Sequence, residues 1–217
     1  MDTITDGKCN EIMVDILEKL SQSNSQFYTQ INVYLSDLWS YSPETYRHSI
    51  NVANLCVDFA AFLEFDDEET KILGIGGLLH DAGKLDIPLD ILHKEGKLTD
   101  NEFDCIKQHP DLGINRVRQM TLSISPKEQE EIFDLVRHHH EKLDGSGYPD
   151  RLNSDNLSRR CRILTIIDIY EAMRSKRSYK DPCSEEEIID VLLQGKGQKY
   201  DSDILEHFLK FISARVR

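Results

Sequence analysis

A histidine and an aspartate stand side by side at the end of an apolar run, and a lysine follows three residues later. The run is Ile72 to Leu79, and the polar residues are His80, Asp81 and Lys84. Apolar neighbours on both sides predict partial burial, and a buried carboxylate needs a cation because an unpaired buried charge is costly. A nitrogen and an oxygen ligand together suit Fe, Mn or Zn better than Ca or Mg. The segment therefore indicates half of a metal site, whose other ligands must come from elsewhere in the chain.

Further candidate ligands recur at or near predicted helix ends, where a site between the helices of a bundle would be built. They are Glu44, His48, His109, His139 and His140. Glu44 and His48 lie four residues apart, so they share one helix face and can bind one ion together. Simpler explanations exist, because the helix dipole by itself favours an acid such as Glu44 at a helix start and a histidine such as His109 at a helix end.

Asp168 is an acidic residue inside a strongly apolar helical stretch, Ile163 to Ile169. An aspartate in the middle of such a helix is unfavourable unless something positive faces the carboxylate. A metal ion is the natural compensation, and a buried salt bridge to an arginine is the alternative. Asp168 therefore joins the candidate metal ligands.

Two other segments could contact a ligand. The densest basic stretch contains Arg177 and Lys180, which lie three residues apart and could clamp a phosphate or a guanine edge, or simply form a solvated helix end. The segment from Asp144 to Pro149 is rich in glycine and contains Tyr148. Its glycines either let the backbone lie close to a ligand or only make turns.

Composition excludes several classes of protein. The chain has 217 residues, with 39% hydrophobic and 30% charged residues, as in an ordinary globular protein. Its net charge of -13 disfavours nucleic acid polymers and membrane surfaces, so any anionic substrate must be attracted by a local positive site. The five cysteines are scattered, no apolar run is long enough for a membrane span, and we expect no signal peptide. These features predict a cytoplasmic location.

Helical periodicity and helix caps dominate the chain, and strand signals are nearly absent, so the sequence predicts an all-α fold. Ser42 followed by Pro43 is a typical helix start, and Thr99 with Glu102 forms a capping box. Residues 1–40 contain two amphipathic patterns. These helices either extend the core or form a hairpin for dimerisation or for docking a protein partner.

The order and spacing of the motifs resemble the HD-GYP family, a branch of the HD phosphohydrolase superfamily. The resemblance runs from about Ser42 to Phe211. The segments that carry it are His48-Ser49, Leu79 to Lys84, Ile91-Leu92, Gly96 to Thr99, His109-Pro110 with Gly113, His139 to Glu141, Asp144 to Pro149, and Arg162 to Leu164 with Asp168. It implies an HD-type helical bundle with extra C-terminal helices over residues 41–217, and an N-terminal helical extension over residues 1–40.

The same resemblance implies hydrolysis of cyclic di-GMP, to pGpG or on to GMP, with two or three divalent metal ions, usually Fe or Mn. By position, the implied metal ligands are Glu44, His48, His80, Asp81, His109, His139, His140 and Asp168. Asp81 would bridge two metals, and Lys84 would contact the scissile phosphate. The other implied substrate contacts are Tyr148, Arg177 and Lys180.

Two departures from the family pattern, Glu171 and Ser178, are expected to alter the substrate rim rather than the metal centre. Two alternatives stay open, of which the first rests on these departures. One is a phosphohydrolase that acts on another cyclic dinucleotide or nucleotide. The other is a sensor or interaction module that binds cyclic di-GMP with little turnover.

Overall fold

The protein is described by a computed structural model that covers residues 16–18, 22–175 and 182–215. These residues contain α-helices, two short 3-10 turns and two isolated β-bridges, but no strand. In chain order the helices are α1 (Ser25–Tyr41), α2 (Pro43–Phe62), α3 (Asp67–Leu79), α4 (Leu89–Leu92), α5 (Asp100–Ile106), α6 (His109–Met120), α7 (Pro126–His138), α8 (Arg159–Arg174), α9 (Glu185–Gln194) and α10 (Ser202–Arg215). The all-α fold class predicted from the sequence is confirmed.

Side-chain caps start most of the longer helices. The Ser42 hydroxyl accepts a hydrogen bond of 3.2 Å from the backbone N–H of Thr45, and Pro43 occupies the first turn of α2. The predicted capping box of Thr99 and Glu102 is present, with both reciprocal hydrogen bonds. Caps of this kind each stabilise a helix by about 1 kcal/mol. Local sequence therefore fixes where these helices begin, and with them the residues that lie near their ends.

A single hydrophobic core surrounds α2 and α8. Phe59 of α2 is fully buried, and its ring centroid lies 5.3 Å from that of Phe208 in α10. The same core includes buried side chains of α1, among them Phe27 and Leu38. Helix α1 is thus packed against the rest of the bundle, whereas the division of the chain at residue 40 stays a prediction.

Polar helix ends meet on one side of this core. Helix α3 ends just before His80, α6 begins at His109, and α7 ends just before His139. The turn after α3 packs directly on the start of α6: a Cβ atom at Gly83 would lie 2.0 Å from the carbonyl oxygen of His109. Glycine is therefore required there to bring the His80 turn against α6.

No described helix combines the length and apolarity that a bilayer crossing requires.

Candidate metal centre

Seven histidine and aspartate side chains from five helical segments converge in two adjoining groups. In each group the potential ligand atoms lie within 4.8 Å of one another. The first group, the His-rich group, consists of Asp81, His109, His139 and His140. The second, the His48 group, consists of His48, His80 and Asp168. Residues up to 120 positions apart in the sequence thus share one buried site, as the convergence of helix ends requires.

Three of the histidines are oriented in the same way. In each, Nδ1 lies within hydrogen-bond distance of the carbonyl oxygen three residues earlier, and a carbonyl can only accept, so Nδ1 carries the proton. The pairs are His80 with Gly77 at 2.7 Å, His109 with Ile106 at 2.7 Å, and His139 with Val136 at 2.9 Å. The Nε2 atoms therefore face the site, and this is how the backbone of a metal site orients its imidazole ligands.

The His-rich group fits a metal ion because its electron pairs face one another. His109 Nε2 lies 3.1 Å from His139 Nε2, although both rings already carry their proton on Nδ1. Asp81 Oδ1 lies 3.4 Å from His109 Nε2 and 4.0 Å from His139 Nε2. This buried oxygen has no hydrogen-bond partner within the described part of the chain. Such lone pairs repel one another in a dry site unless a cation lies between them.

The His48 group joins the other group through Asp81. His48 Nε2 lies 3.0 Å from Asp168 Oδ1 and 3.5 Å from Asp81 Oδ2. His80 Nε2 lies 3.3 Å from Asp81 Oδ2 and 3.7 Å from Asp168 Oδ1. The two oxygens of Asp81 thus face different groups, which is the arrangement needed for a carboxylate that bridges two metal ions.

The electrostatics keep the two carboxylates ionised. Burial alone would raise the pKa of Asp81, but His80 and Lys84 outweigh it and hold that pKa well below its usual range. Burial would likewise raise the pKa of Asp168, but the adjacent imidazoles of His48 and His80 hold it low. Burial lowers the pKa of His109 to about 4 and places that of His139 well below the ordinary value, so both are neutral near pH 7.

His80 behaves differently from the other imidazoles. Burial alone would lower its pKa, but the nearby charges of Asp81 and Asp168 raise it to about 10. In the protein without metal, His80 is therefore the cation that partly compensates the two carboxylates. A metal ion that binds this ring must displace the proton, so metal affinity rises with pH.

Glu171 supports His48 from behind. This buried carboxylate accepts a short hydrogen bond from His48 Nδ1, and its other oxygen accepts one of 2.8 Å from the Asn51 amide. Burial alone would raise the pKa of Glu171, but the contacts with His48 lower it. The expectation that Glu171 alters the substrate rim was wrong, because the residue lies beneath the centre. Its role depends on a contact across 123 positions, which no local pattern in the sequence reveals.

Glu141 is a second supporting residue that sequence reasoning did not assign. It is fully buried, and its carboxylate accepts hydrogen bonds of 2.6 Å from the backbone N–H of Asp150 and 3.1 Å from that of Leu152. It therefore ties the glycine-rich loop to the end of α7. The available signal was an acid directly after two candidate ligands, His139 and His140.

The other site residues predicted from the sequence lie at different places relative to the metal centre. Lys84 Nζ lies 2.7 Å from Asp81 Oδ2, at the edge of the centre. The ring of Tyr148 lies against that of His140, with centroids 4.7 Å apart. Glu44 is half-buried one turn before His48 and belongs to neither group. Arg177 and Lys180 lie outside the described residues, as does Ser178.

Comparison with known proteins agrees with this architecture. The family model of the HD domain matches residues 13–204. The chain therefore belongs to the HD domain family, and the family assignment made from the sequence motifs is confirmed.

Among solved structures, an HDG"Y"P protein from Bdellovibrio bacteriovorus aligns with a TM-score of 0.63 and 16% identity, over 98% of this chain and 75% of that one. The HD domain of the Listeria monocytogenes phosphodiesterase PgpH, solved with cyclic-di-AMP, aligns with a TM-score of 0.59 and 19% identity, over 84% of this chain and 94% of that one. At these identities the structures support the fold.

Curated relatives are more similar in sequence. A 3'3'-cGAMP-specific phosphodiesterase of Vibrio cholerae is 35% identical over 81% of this chain and 34% of its own length. A cyclic di-GMP phosphodiesterase of Pseudomonas aeruginosa is 35% identical over 77% of this chain and 39% of its own length. Another of that name from Thermotoga maritima is 32% identical over 90% of this chain and 53% of its own length. The chain thus spans about a third to a half of the length of these relatives.

Proposed function

We propose that this protein is a metal-dependent phosphodiesterase that hydrolyses cyclic di-GMP to pGpG, to GMP, or to both. The observation that carries the proposal is the set of facing, unprotonated ligand atoms around Asp81, where His109 Nε2 and His139 Nε2 lie 3.1 Å apart. Relatives named as cyclic di-GMP phosphodiesterases, at 35% and 32% identity, support the choice of substrate.

In this proposal each of the two groups would hold one ion, Asp81 would be shared between the two, and Glu44 would contribute a ligand to a third ion. The mixed nitrogen and oxygen ligands favour Fe or Mn. Such ions, when bound, polarise the phosphate and lower the pKa of water so that hydroxide can form near neutral pH. The chain itself holds Asp81 and Asp168 ionised and keeps the Nε2 atoms of three histidines turned towards the site.

Lys84 has a separate task in the proposed reaction. Its ammonium group lies beside Asp81 and is partly exposed, with 14% of its side chain accessible. It can therefore reach a phosphate at the centre and offset the charge that accumulates on the phosphoryl oxygens. Arg177 and Lys180 are proposed to bind a guanine or phosphate group of the substrate, with Tyr148 at the edge.

A second substrate is also supported. The relative from Vibrio cholerae named as 3'3'-cGAMP-specific is as similar to this chain, at 35% identity, as the Pseudomonas aeruginosa cyclic di-GMP enzyme. Cyclic GMP-AMP is therefore the second candidate. Both substrates are small dianions, and we propose that the metals and basic side chains reverse the overall charge of -13 locally.

For the rest of the chain we propose that residues 1–40 are an N-terminal helical extension and residues 41–217 the phosphohydrolase domain. Dimerisation or binding of a protein partner is assigned to the extension. The scattered cysteines favour a cytoplasmic location.

The test is a turnover assay of the anaerobically purified protein loaded with Mn or Fe, with elemental analysis of the bound metal. We expect hydrolysis of cyclic di-GMP, and its loss in His80→Ala and Asp81→Ala. His207→Ala is the matched control, because His207 lies on α10 and pairs there with Asp203. Turnover that survives in both site variants refutes the assignment. Binding of cyclic di-GMP without hydrolysis by the parent protein would instead support a sensor.

A further inference from the structure

A groove of about 850 Å³ adjoins the metal centre. His140 and Tyr148 line the groove, and His140 also belongs to the His-rich group, so the two spaces are continuous. Phe103 of α5 and Lys107, which directly follows that helix, also line the groove. Lys199 and Tyr200, which precede α10, complete the lining used below. The space is thus adjacent to the proposed site of phosphate cleavage and much larger than one phosphate group needs.

The groove is positively charged within an acidic protein. Its lining includes two acids, but Asp104 pairs with Lys107 at 2.6 Å and Asp111 pairs with Arg137. Lys142, Arg151 and Lys199 also line it, and no carboxylate of the described residues forms an ion pair with any of them. Unpaired cations beside a metal centre are suited to an anionic ligand that extends away from the metals.

The position of Lys142 is fixed before any ligand binds. Its ammonium group lies 5.4 Å from the ring centroid of Tyr200, a cation–π contact. Tyr200 lies against the backbone of Gly195, where a Cβ atom would come 2.4 Å from the ring. The backbone N–H of Leu143 donates to the Lys199 carbonyl at 3.1 Å and joins the two segments. Little ordering is therefore needed when the ammonium group binds an anion.

Phe103 supplies an aromatic surface in the lining of the groove. It is one of the large apolar side chains that stay exposed, with 47% of the residue accessible, and Lys107 Nζ lies over its ring, 5.1 Å from the centroid. An exposed ring in a groove that also contains unpaired cations is a combination that binds a nucleobase together with its phosphate.

We propose that this groove binds the half of the cyclic dinucleotide remote from the scissile phosphate, with Lys142 on the second phosphate and Phe103 against a purine base. The inference rests on the proposed function and extends it, since it assigns a second binding region to the same substrate. Tyr200 acts as a positioning residue for Lys142.

The test compares a substrate that has a remote half with one that has none. Cyclic di-GMP and the small diester bis(4-nitrophenyl) phosphate are assayed with the Mn-loaded parent, Lys142→Met, Lys142→Arg and Phe103→Ala. Lys142→Met should raise KM for cyclic di-GMP by about tenfold, since a hydrogen bond to a charged group is lost. Phe103→Ala should raise it by about tenfold through lost stacking. In both variants kcat and the hydrolysis of the small diester should stay within about twofold of the parent, while Lys142→Arg restores KM.

Lys196→Met is the matched control, because Lys196 lies just before the same segment but pairs with Glu206 at 2.5 Å. Calorimetric binding of cyclic di-GMP to the metal-free proteins provides a readout without turnover and should show the same order. An unchanged KM in Lys142→Met and Phe103→Ala would overturn the inference and leave the proposed function intact. An equal loss with the small diester would also overturn it, since the residues would then act on the metal centre. A parent protein that cleaves only the small diester would remove both the dinucleotide assignment and the groove's role.

Discussion

Two regions built on the same helices have opposite energetics. The first region is the metal centre, and the second is the aromatic core of Phe59, Phe208 and Phe211. Helix α2 carries His48 in the metal centre and Phe59 in the aromatic core. Helix α8 carries Asp168 in the metal centre and Tyr170 beside the aromatic core. Burial of an aromatic side chain such as Phe59 contributes about 1.5–3 kcal/mol to folding. Burial of an ionised carboxylate such as Asp168 costs several kcal/mol unless a cation compensates it. The aromatic core thus stabilises the bundle by burial alone, whereas the metal centre is tolerated because His80, Lys84 and His48 compensate its carboxylates.

This difference can be tested because the two regions should respond differently to substitution. Changes in the centre should remove activity, and their effect on the metal-free fold should depend on the charge that is lost. Changes in the aromatic core should remove stability and leave the chemistry of the folded molecules unharmed.

The largest effect is expected for Asp81→Asn. Asp81 faces both groups of ligands, so we expect turnover to fall by roughly a thousandfold or more. The metal-free variant should be less stable than the metal-free parent near pH 7, because the pKa of Asp81 is lowered and that of His80 raised by their contact, so the charged pair stabilises the folded state. The measurements are turnover with Mn and urea unfolding in the presence of a chelator. A metal-free variant as stable as the parent near pH 7 would show that these charges do not stabilise the fold.

Phe59→Ala should lose stability and keep the chemistry. Phe59 is fully buried against Phe208 and Phe211, so truncation leaves a cavity and costs about 3–5 kcal/mol of unfolding free energy. Turnover per folded molecule should match that of the parent. Phe62→Ala is the control on the same helix, because Phe62 is 42% exposed and its truncation should cost about 1 kcal/mol or less. Equal losses in the two variants would show that the aromatic core is not the stabilising region.

Sequence alone predicted much of this comparison but not all of it. Caps such as Ser42 and Thr99 are local signals, so helix starts could be predicted from a few neighbouring residues. Candidate ligands such as His80 and Asp168 were found because polar residues in apolar surroundings need compensation, and their grouping followed from the resemblance to a family. That the Nε2 atoms face one another depends on carbonyl contacts that only the folded backbone creates. The groove beside Lys142 was missed because its walls come from three separate segments.

Glu171→Gln should show a smaller effect than loss of a ligand. Glutamine keeps the volume of Glu171 but removes the charge that orients the His48 ring through Nδ1. Loss of such support typically costs about 10–100-fold in metal affinity or activity. Titration of the metal-free protein with Mn, followed by turnover, measures both. Glu186→Gln on α9 is the control, since Glu186 is exposed and far from the centre in sequence. Unchanged affinity in Glu171→Gln would show that His48 is held by the backbone alone.

The smallest effect concerns His138, which lies next to the centre and yet stabilises the fold. It contacts Asp134 at 2.7 Å through Nδ1 and Asp150 at 2.9 Å through Nε2. Burial alone would lower its pKa, but these two carboxylates raise it above the ordinary value of 6.5. A group whose pKa is raised in the folded state contributes stability that is complete below the unfolded pKa and is lost as pH rises through the folded pKa.

His138→Gln should therefore cost unfolding free energy near pH 6 and progressively less as the pH rises through the raised pKa of His138. The difference at low pH should be about 1 kcal/mol or less, because both carboxylates are partly solvated and the ion pairs are screened. Urea unfolding of the metal-free parent and variant at several pH values measures it, and the subtraction removes the contributions of the other histidines. A pH-independent difference would mean that His138 acts by packing rather than by charge. The residue would then resemble the aromatic core, and the boundary between the two regions would lie closer to the metal centre than the structure places it.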